Sequence, residues 1–181
     1  MKNVSSFVLM MILAGLAVHA QQMDALLIHG QGFSFWVKEP KGWTCHTEDA
    51  GQYRLNAYFC VGENDVSRSP AIMHITVYGK GGVSIQDGLT FDAENYKQHA
   101  KKIEFLEFPI GELKYECASK VYVIDDKTTD YVCFLDPGKE LPLYVALVLH
   151  GPKEVSPKYE KDFLALIKSF HWLTTNVLIK D

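Results

Sequence analysis

The sequence predicts an α+β domain built on a mainly antiparallel sheet. Three observations lead there. Between Phe33 and Gly79 the chain alternates apolar and polar residues in short runs, the period of strands packed on one face. Two later stretches switch to the spacing of amphipathic helices. The connections between successive strands are hairpin-like, which favours antiparallel neighbours, and two helices are available to cover the sheet.

The first segment stands outside that fold. Residues 1–20, MKNVSSFVLMMILAGLAVHA, carry one basic residue, Lys2, then an apolar run from Phe7 to Val18, and close on Val18-His19-Ala20. This is the layout of a secretory signal peptide. A run of about a dozen apolar residues is short for a bilayer span. Gln21 follows the expected cleavage point, so lipid attachment to a cysteine there is not expected. The expected mature chain, residues 21–181, suits one domain with a proper core.

Strands come first. FSFWVKEP (Phe33–Pro40) sets Phe33, Phe35 and Val37 against Ser34, Trp36 and Lys38. GWTCHTED and YRLNAYFCVG flank the turn-like EDAGQ, and AIMHITVYG puts Met73, Ile75 and Val77 on one face, Ile72, His74, Thr76 and Tyr78 on the other. A helix is expected from about Thr90 to Phe105, with Thr90 as N-cap, Asp92 and Glu94 in the first turn and Lys101 and Lys102 in the last. YECASKVYVID and TDYVCFLD flank an Asp-Asp-Lys-Thr turn, a hairpin signal. LPLYVALVLH is apolar on both faces and reads as a central strand. VSPKYEKDFLALIKSF is the second helix, with Ser156 as cap, Pro157 at the first position and a stripe of Tyr159, Phe163, Ile167 and Phe170. HWLTTNVLIKD either adds an edge strand or packs on the domain.

Composition narrows the function classes. The 181 residues carry a formal charge of −4 with both signs interspersed, and no basic stripe of a nucleic-acid binder is visible. The mature chain shows no apolar segment suited to crossing a membrane; Leu141–Leu149 is strand-length and broken by Pro142.

Cys45, Cys60, Cys117 and Cys133 all fall in the mature chain, where export favours pairing. Each sequential pair is centred on a predicted turn, so Cys45–Cys60 and Cys117–Cys133 are expected to face each other across hairpins as disulfides. Each would close a loop of about fifteen residues, worth roughly 3 kcal/mol. One bridge, crossed bridges, or metal or redox use are the other readings. There is no close Cys pair for zinc, and His46 follows Cys45 directly, which on a strand points it to the opposite face.

Catalytic spacings are missing: there is no G-x-S-x-G, H-E-x-x-H, C-x-x-C or phosphate loop. YGKGGVS is glycine-rich but reads as a surface loop, because the expected helix starts several residues later. His46, His74 and His150 lie on strands and can meet only in three dimensions. No metal site and no cofactor is expected. The aromatic surplus remains. Trp43, Tyr58 and Tyr78, with His74, form the candidate binding surface, unless the helices cover them.

FSFWVKEPKGW, ITVYGKGG, the helix TFDAENYKQHAKKI, the hydrophobic strand and the closing FLALIKSFHW together resemble the PsbP-like superfamily, which includes the extrinsic PsbP protein of photosystem II, the Ran-binding Mog protein and many exported bacterial proteins. The resemblance covers most of residues 31–172 and rests on Pro40-Lys41-Gly42-Trp43 and the terminal Ser169-Phe170. It implies an α-β-α sandwich around an antiparallel sheet and a non-enzymatic binding or assembly-supporting role. It supplies no catalytic residue, and the four cysteines are not part of its pattern. The leading expectation is a secreted or periplasmic binding module with a protein partner in the envelope or extracellular space. A small-molecule carrier with a pocket between sheet and helix stands second, and a hydrolase using His74 or His150 third.

Overall fold

The computed structural model describes residues 25–173, so the expected signal peptide and the end of the HWLTTNVLIKD tail lie outside the described residues. Strands β1 (Ala25–Gly30), β2 (Phe33–Lys38), β3 (Trp43–His46), β4 (Ala57–Val61) and β5 (Ile72–Gly79) precede helix α1 (Ile85–His99). Strands β6 (Ile103–Glu107), β7 (Glu116–Ile124), β8 (Thr128–Asp136) and β9 (Leu143–Pro152) precede helix α2 (Glu160–Ser169) and the two-residue strand β10 (His171–Trp172). Seven strands form one sheet in the order β3-β4-β5-β9-β8-β7-β6, and β1, β2 and β10 form a small second sheet. Every pairing is antiparallel.

The two faces of the large sheet are covered differently. On one, Met73, Ile75, Val145, Leu147 and Leu149 pack with Phe163, Leu166 and Ile167 of α2 and with Phe35 and Val37 of the small sheet. On the other, Ala118, Tyr122, Val132, Phe134, Ala146 and Val148 pack with Ile85 and Leu89 of α1. β9 lies at the centre of the sheet and feeds both cores in alternation, as its continuous apolar run predicts. The β7–β8 hairpin turns at Asp125 and Asp126, whose φ values of 51° and 57° suit a type I′ turn.

Three expectations need correction. Helix α1 runs from Ile85 to His99 rather than from Thr90 to Phe105. Its N-cap is Ser84: the Ser84 hydroxyl accepts from the Asp87 N–H and the Asp87 carboxylate accepts from the Ser84 N–H, a capping box that outcompetes a start at Thr90. Thr90 sits inside the helix and donates to the Gln86 carbonyl, 2.9 Å. The glycine-rich loop therefore does lead into a helix, but the capping box engages the Ser84 and Asp87 N–H groups and sets the Asp87 carboxylate at the helix start, against a phosphate. Residues 103–105, expected at the end of the helix, belong instead to the edge strand β6. Finally, Ser156 does not cap α2; its buried hydroxyl donates to the Thr129 carbonyl, 3.1 Å, and ties the helix entry to β8.

Candidate functional site

The cysteines do not face each other as expected. In the β3–β4 register Cys45 stands opposite Phe59 and Cys60 opposite Thr44. That offset of one residue turns the two side chains to opposite faces of the sheet: Cys45 packs on the α2-side core and Cys60 in a separate cluster with Ala50 and Tyr58. In the β7–β8 register Cys117 faces Leu135 and Cys133 faces Ser119, so this pair is diagonal on one face. All four are free thiols. Burial, with Glu39 adding its charge, pushes the Cys45 thiol up to about 12, and burial also raises Cys60, Cys117 and Cys133. Such groups are protonated near neutral pH and are poor nucleophiles.

The aromatic candidates also divide. Trp43 is 4% exposed on the α2 side, its Nε1–H donates to Asp162 Oδ2 at 3.1 Å, and its ring meets Tyr159 edge-on. It is a core residue, placed there because Trp43 shares the inward face of β3 with Cys45. Tyr58, His74 and Tyr78 belong to the opposite, α1-side face. Tyr58 is buried, its hydroxyl donates to Asp49 Oδ2 at 2.7 Å, and His46 stacks on its ring at 4.7 Å. Burial and the Asp49 hydrogen bond drive its phenol well above the usual range. Tyr78 is 46% exposed and leans on Tyr144, 5.5 Å between ring centroids.

Strand register brings two of the three strand histidines together around an aspartate that the motif scan did not select. One row across the sheet reads Ile72, His150, Asp130, Tyr122 and Phe105; the adjacent row reads His46, Tyr58, His74, Val148 and Val132. Asp130 is buried. Its Oδ1 pairs with His150 Nδ1 at 2.7 Å and its Oδ2 accepts from the Tyr96 hydroxyl of α1 at 2.6 Å. The hydrogen bond to Asp130 raises the His150 pKa above its ordinary 6.5 despite partial burial. His74 goes the other way: burial lowers it to about 4, with Asp130 opposing and His150 reinforcing the drop, and its Nδ1 is buried without a partner. His74 is thus a neutral imidazole at physiological pH, and its Nδ1, like His46 Nε2 and Thr76 Oγ1, is buried without a hydrogen-bond partner among the described residues.

A cavity of about 300 Å³ opens beside this network, between α1 and the sheet. Its floor is made of short side chains, Val132, Ala146 and Val148, and its helix wall contains Gly88, so the helix and sheet meet without filling the space. Tyr78, Phe91, Tyr96, Phe134 and Tyr144 supply aromatic faces, and His74, Asp92 and Asn95 the polar groups. Phe91 is 62% exposed at the mouth. Asp92 sits within the groove, and burial raises its carboxyl from 3.8 to about 6, with a hydrogen bond from Tyr122 opposing and the Asp130 charge assisting. A second, apolar hollow of about 170 Å³, lined by Tyr53, Leu55, Tyr58, Val66 and Ile72, shares His74 and adds His150, so His74 stands between the two. A larger depression of about 450 Å³ is lined, among the described residues, by the segment Cys45–Asp49. Among the described residues, no three His, Cys, Asp or Glu side chains are grouped to hold a metal ion, and no helix is long and apolar enough to cross a membrane.

Layering, strand order and helix placement define a PsbP-like α+β fold. The solution structure of cyanobacterial PsbP from Synechocystis sp. PCC 6803 superposes with a TM-score of 0.51 at 12% identity, covering 83% of this chain and 93% of that one. At that identity the likeness speaks for the fold. No protein-family profile and no curated protein sequence matches the chain.

Proposed function

We propose that this chain is an exported, non-enzymatic binding module that holds its ligand, or an inserted group of a protein partner in the envelope or extracellular space, in the groove between α1 and the sheet. The observation that carries this reading is the groove itself: a preformed hollow with aromatic faces and a few convergent polar groups, which is the usual make-up of a binding site. The leader-like residues 1–20 support export, and the PsbP-like resemblance supports a binding or assembly-supporting role. The hydrolase reading finds an Asp130–His150 pair here, but among the described residues no serine, threonine or cysteine lines either hollow to act as nucleophile beside it. A disulfide between Cys117 and Cys133 after export belongs to the same proposal, since the two share a face and lie close enough for one to perturb the other.

The test is placement. Phe91 is replaced by a photo-crosslinking p-benzoylphenylalanine in the protein's own host, with Lys168 on the exposed side of α2 as control site. A discrete adduct at position 91 and none at 168 is expected. Equal labelling at both positions, or none at 91, contradicts the groove as the binding site.

A further inference from the structure

The groove holds an unusual imbalance of charge. Among its described lining residues Asp92 is a carboxylate, while there is no lysine and no arginine. Among the described residues Asp92 forms no ion pair. Asp130 sits just behind, with both oxygens engaged by His150 and Tyr96. His74 contributes no balancing charge, because burial keeps it neutral. A half-buried carboxylate without a counter-charge is destabilising unless a cation comes to it.

The rest of the wall suits one kind of cation. Tyr78 and Tyr144 lie 5.5 Å apart between ring centroids with their planes at 32°, and Phe134 meets Tyr144 edge-on at 5.2 Å, which fixes the Tyr144 ring. Phe91 adds a fourth ring over the mouth. Faces of aromatic rings attract a cation through their quadrupole and attract most when water is excluded. A bare metal ion would need several oxygen ligands, which this wall of rings does not offer. A phosphate or carboxylate ligand would meet Asp92 as a like charge.

Resting on the groove reading above, we propose that this site selects an organic ammonium cation, with Asp92 as its counter-charge and Tyr78, Phe91 and Tyr144 as its aromatic walls. A quaternary or alkylated ammonium group fits the ring faces, and a hydroxyl or amide elsewhere on the ligand can reach Asn95. Discrimination comes from charge at constant shape: a neutral compound of the same outline keeps the apolar contact and loses both the ion pair and the cation–π attraction.

The experiment is isothermal titration of the full mature chain at pH 7.5 with choline and with 3,3-dimethyl-1-butanol, its neutral isostere, on wild type and on Asp92→Asn and Tyr144→Leu. Saturable choline binding is expected, about tenfold or more tighter than the neutral alcohol. Asp92→Asn should narrow that difference to its cation–π part while leaving the alcohol unchanged, and Tyr144→Leu should weaken both. Equal affinity of the two probes for wild type, an unchanged preference in Asp92→Asn, or no saturable choline binding overturns the inference. The wild-type comparison decides even where a variant folds poorly. If choline fails and the position-91 adduct still forms, the groove remains the binding site and only its cation preference is wrong.

Discussion

Asp92 and His74 oppose each other in their effect on stability, and the opposition can be measured. His74 has an ordinary pKa of 6.5 and about 4 in the fold. The unfolded chain therefore takes up a proton below 6.5 that the folded chain refuses until about 4, so His74 removes stability as pH falls through that window. Asp92 has an ordinary value of 3.8 and about 6 in the fold. Here the folded chain takes the proton first, so Asp92 adds stability as pH falls from about 6 to 3.8. At about 1.4 kcal/mol per pKa unit, each effect is about 3 kcal/mol across its window. The two nearly cancel in the wild type. Asp92→Asn mimics the protonated acid, so at pH 7 it should be about 3 kcal/mol more stable than wild type, and the gap should close as pH falls to 4. His74→Gln should show the converse, with its advantage over wild type growing as pH falls from 6.5 to 4. Urea denaturation of the three proteins at pH 7, 5.5 and 4.5 reads this directly. A wild-type-to-Asp92→Asn gap that is the same at all three pH values would refute the reasoning, because it would mean that Asp92 titrates like an exposed carboxyl.

Ser84→Ala removes the hydroxyl half of the α1 capping box, keeping the Ser84 N–H donation to Asp87, and should cost about 1 kcal/mol in urea denaturation. Gly88→Ala should stabilise by up to about 1 kcal/mol, since the residue is helical and the added methyl makes an ordinary contact with the Tyr144 ring at 3.5 Å; a loss of stability would show that α1 sits closer to the sheet. Gly151→Ala should cost about 1–3 kcal/mol, because its methyl would lie 2.8 Å from Ser156 Oγ and 3.3 Å from the Pro70 carbonyl, and a neutral outcome would place that loop further away. Peptide mapping of the exported, unreduced protein should yield no Cys45–Cys60 peptide, and recovery of one contradicts the β3–β4 register.

The fold was largely legible because its strongest signals are local. β9 shows its central position in an unbroken apolar run, the Asp125-Asp126 turn specifies its own hairpin, and α2 carries a full apolar stripe. α1 was misplaced because its stripe is weak: only Ile85, Gly88 and Leu89 are buried, and the capping box at Ser84 lies inside a loop that glycine content made look irregular. β6 was missed although Ile103 and Phe105 alternate with Glu104 and Leu106, since the lysines before it suit a helix end. β1 was missed because its apolar run does not alternate, and only Ile28 is buried. The site was legible in part. His74 and Tyr78 were chosen for their polar-face positions and do line the groove. Trp43 failed because the sequence does not say which face of the sheet each helix covers. Asp130 left one readable trace, a carboxylate within β8 directly before its apolar run Tyr131–Leu135, but its partners His150 and Tyr96 come from β9 and α1 and meet it only through the fold. The Cys45–Cys60 pairing failed for the same reason: a one-residue offset, invisible in loop length, sends the two side chains to opposite faces.

The most direct measurement is native mass spectrometry of the protein recovered from its own exported fraction, wild type against Gly88→Leu, whose side chain would fill the space between α1 and Tyr144. Circular dichroism on both proteins checks that the variant keeps its fold. A discrete added mass is expected on the wild type and is expected to be absent from the folded variant. The same added mass on both, or none on the wild type, would contradict a ligand-binding groove beneath α1.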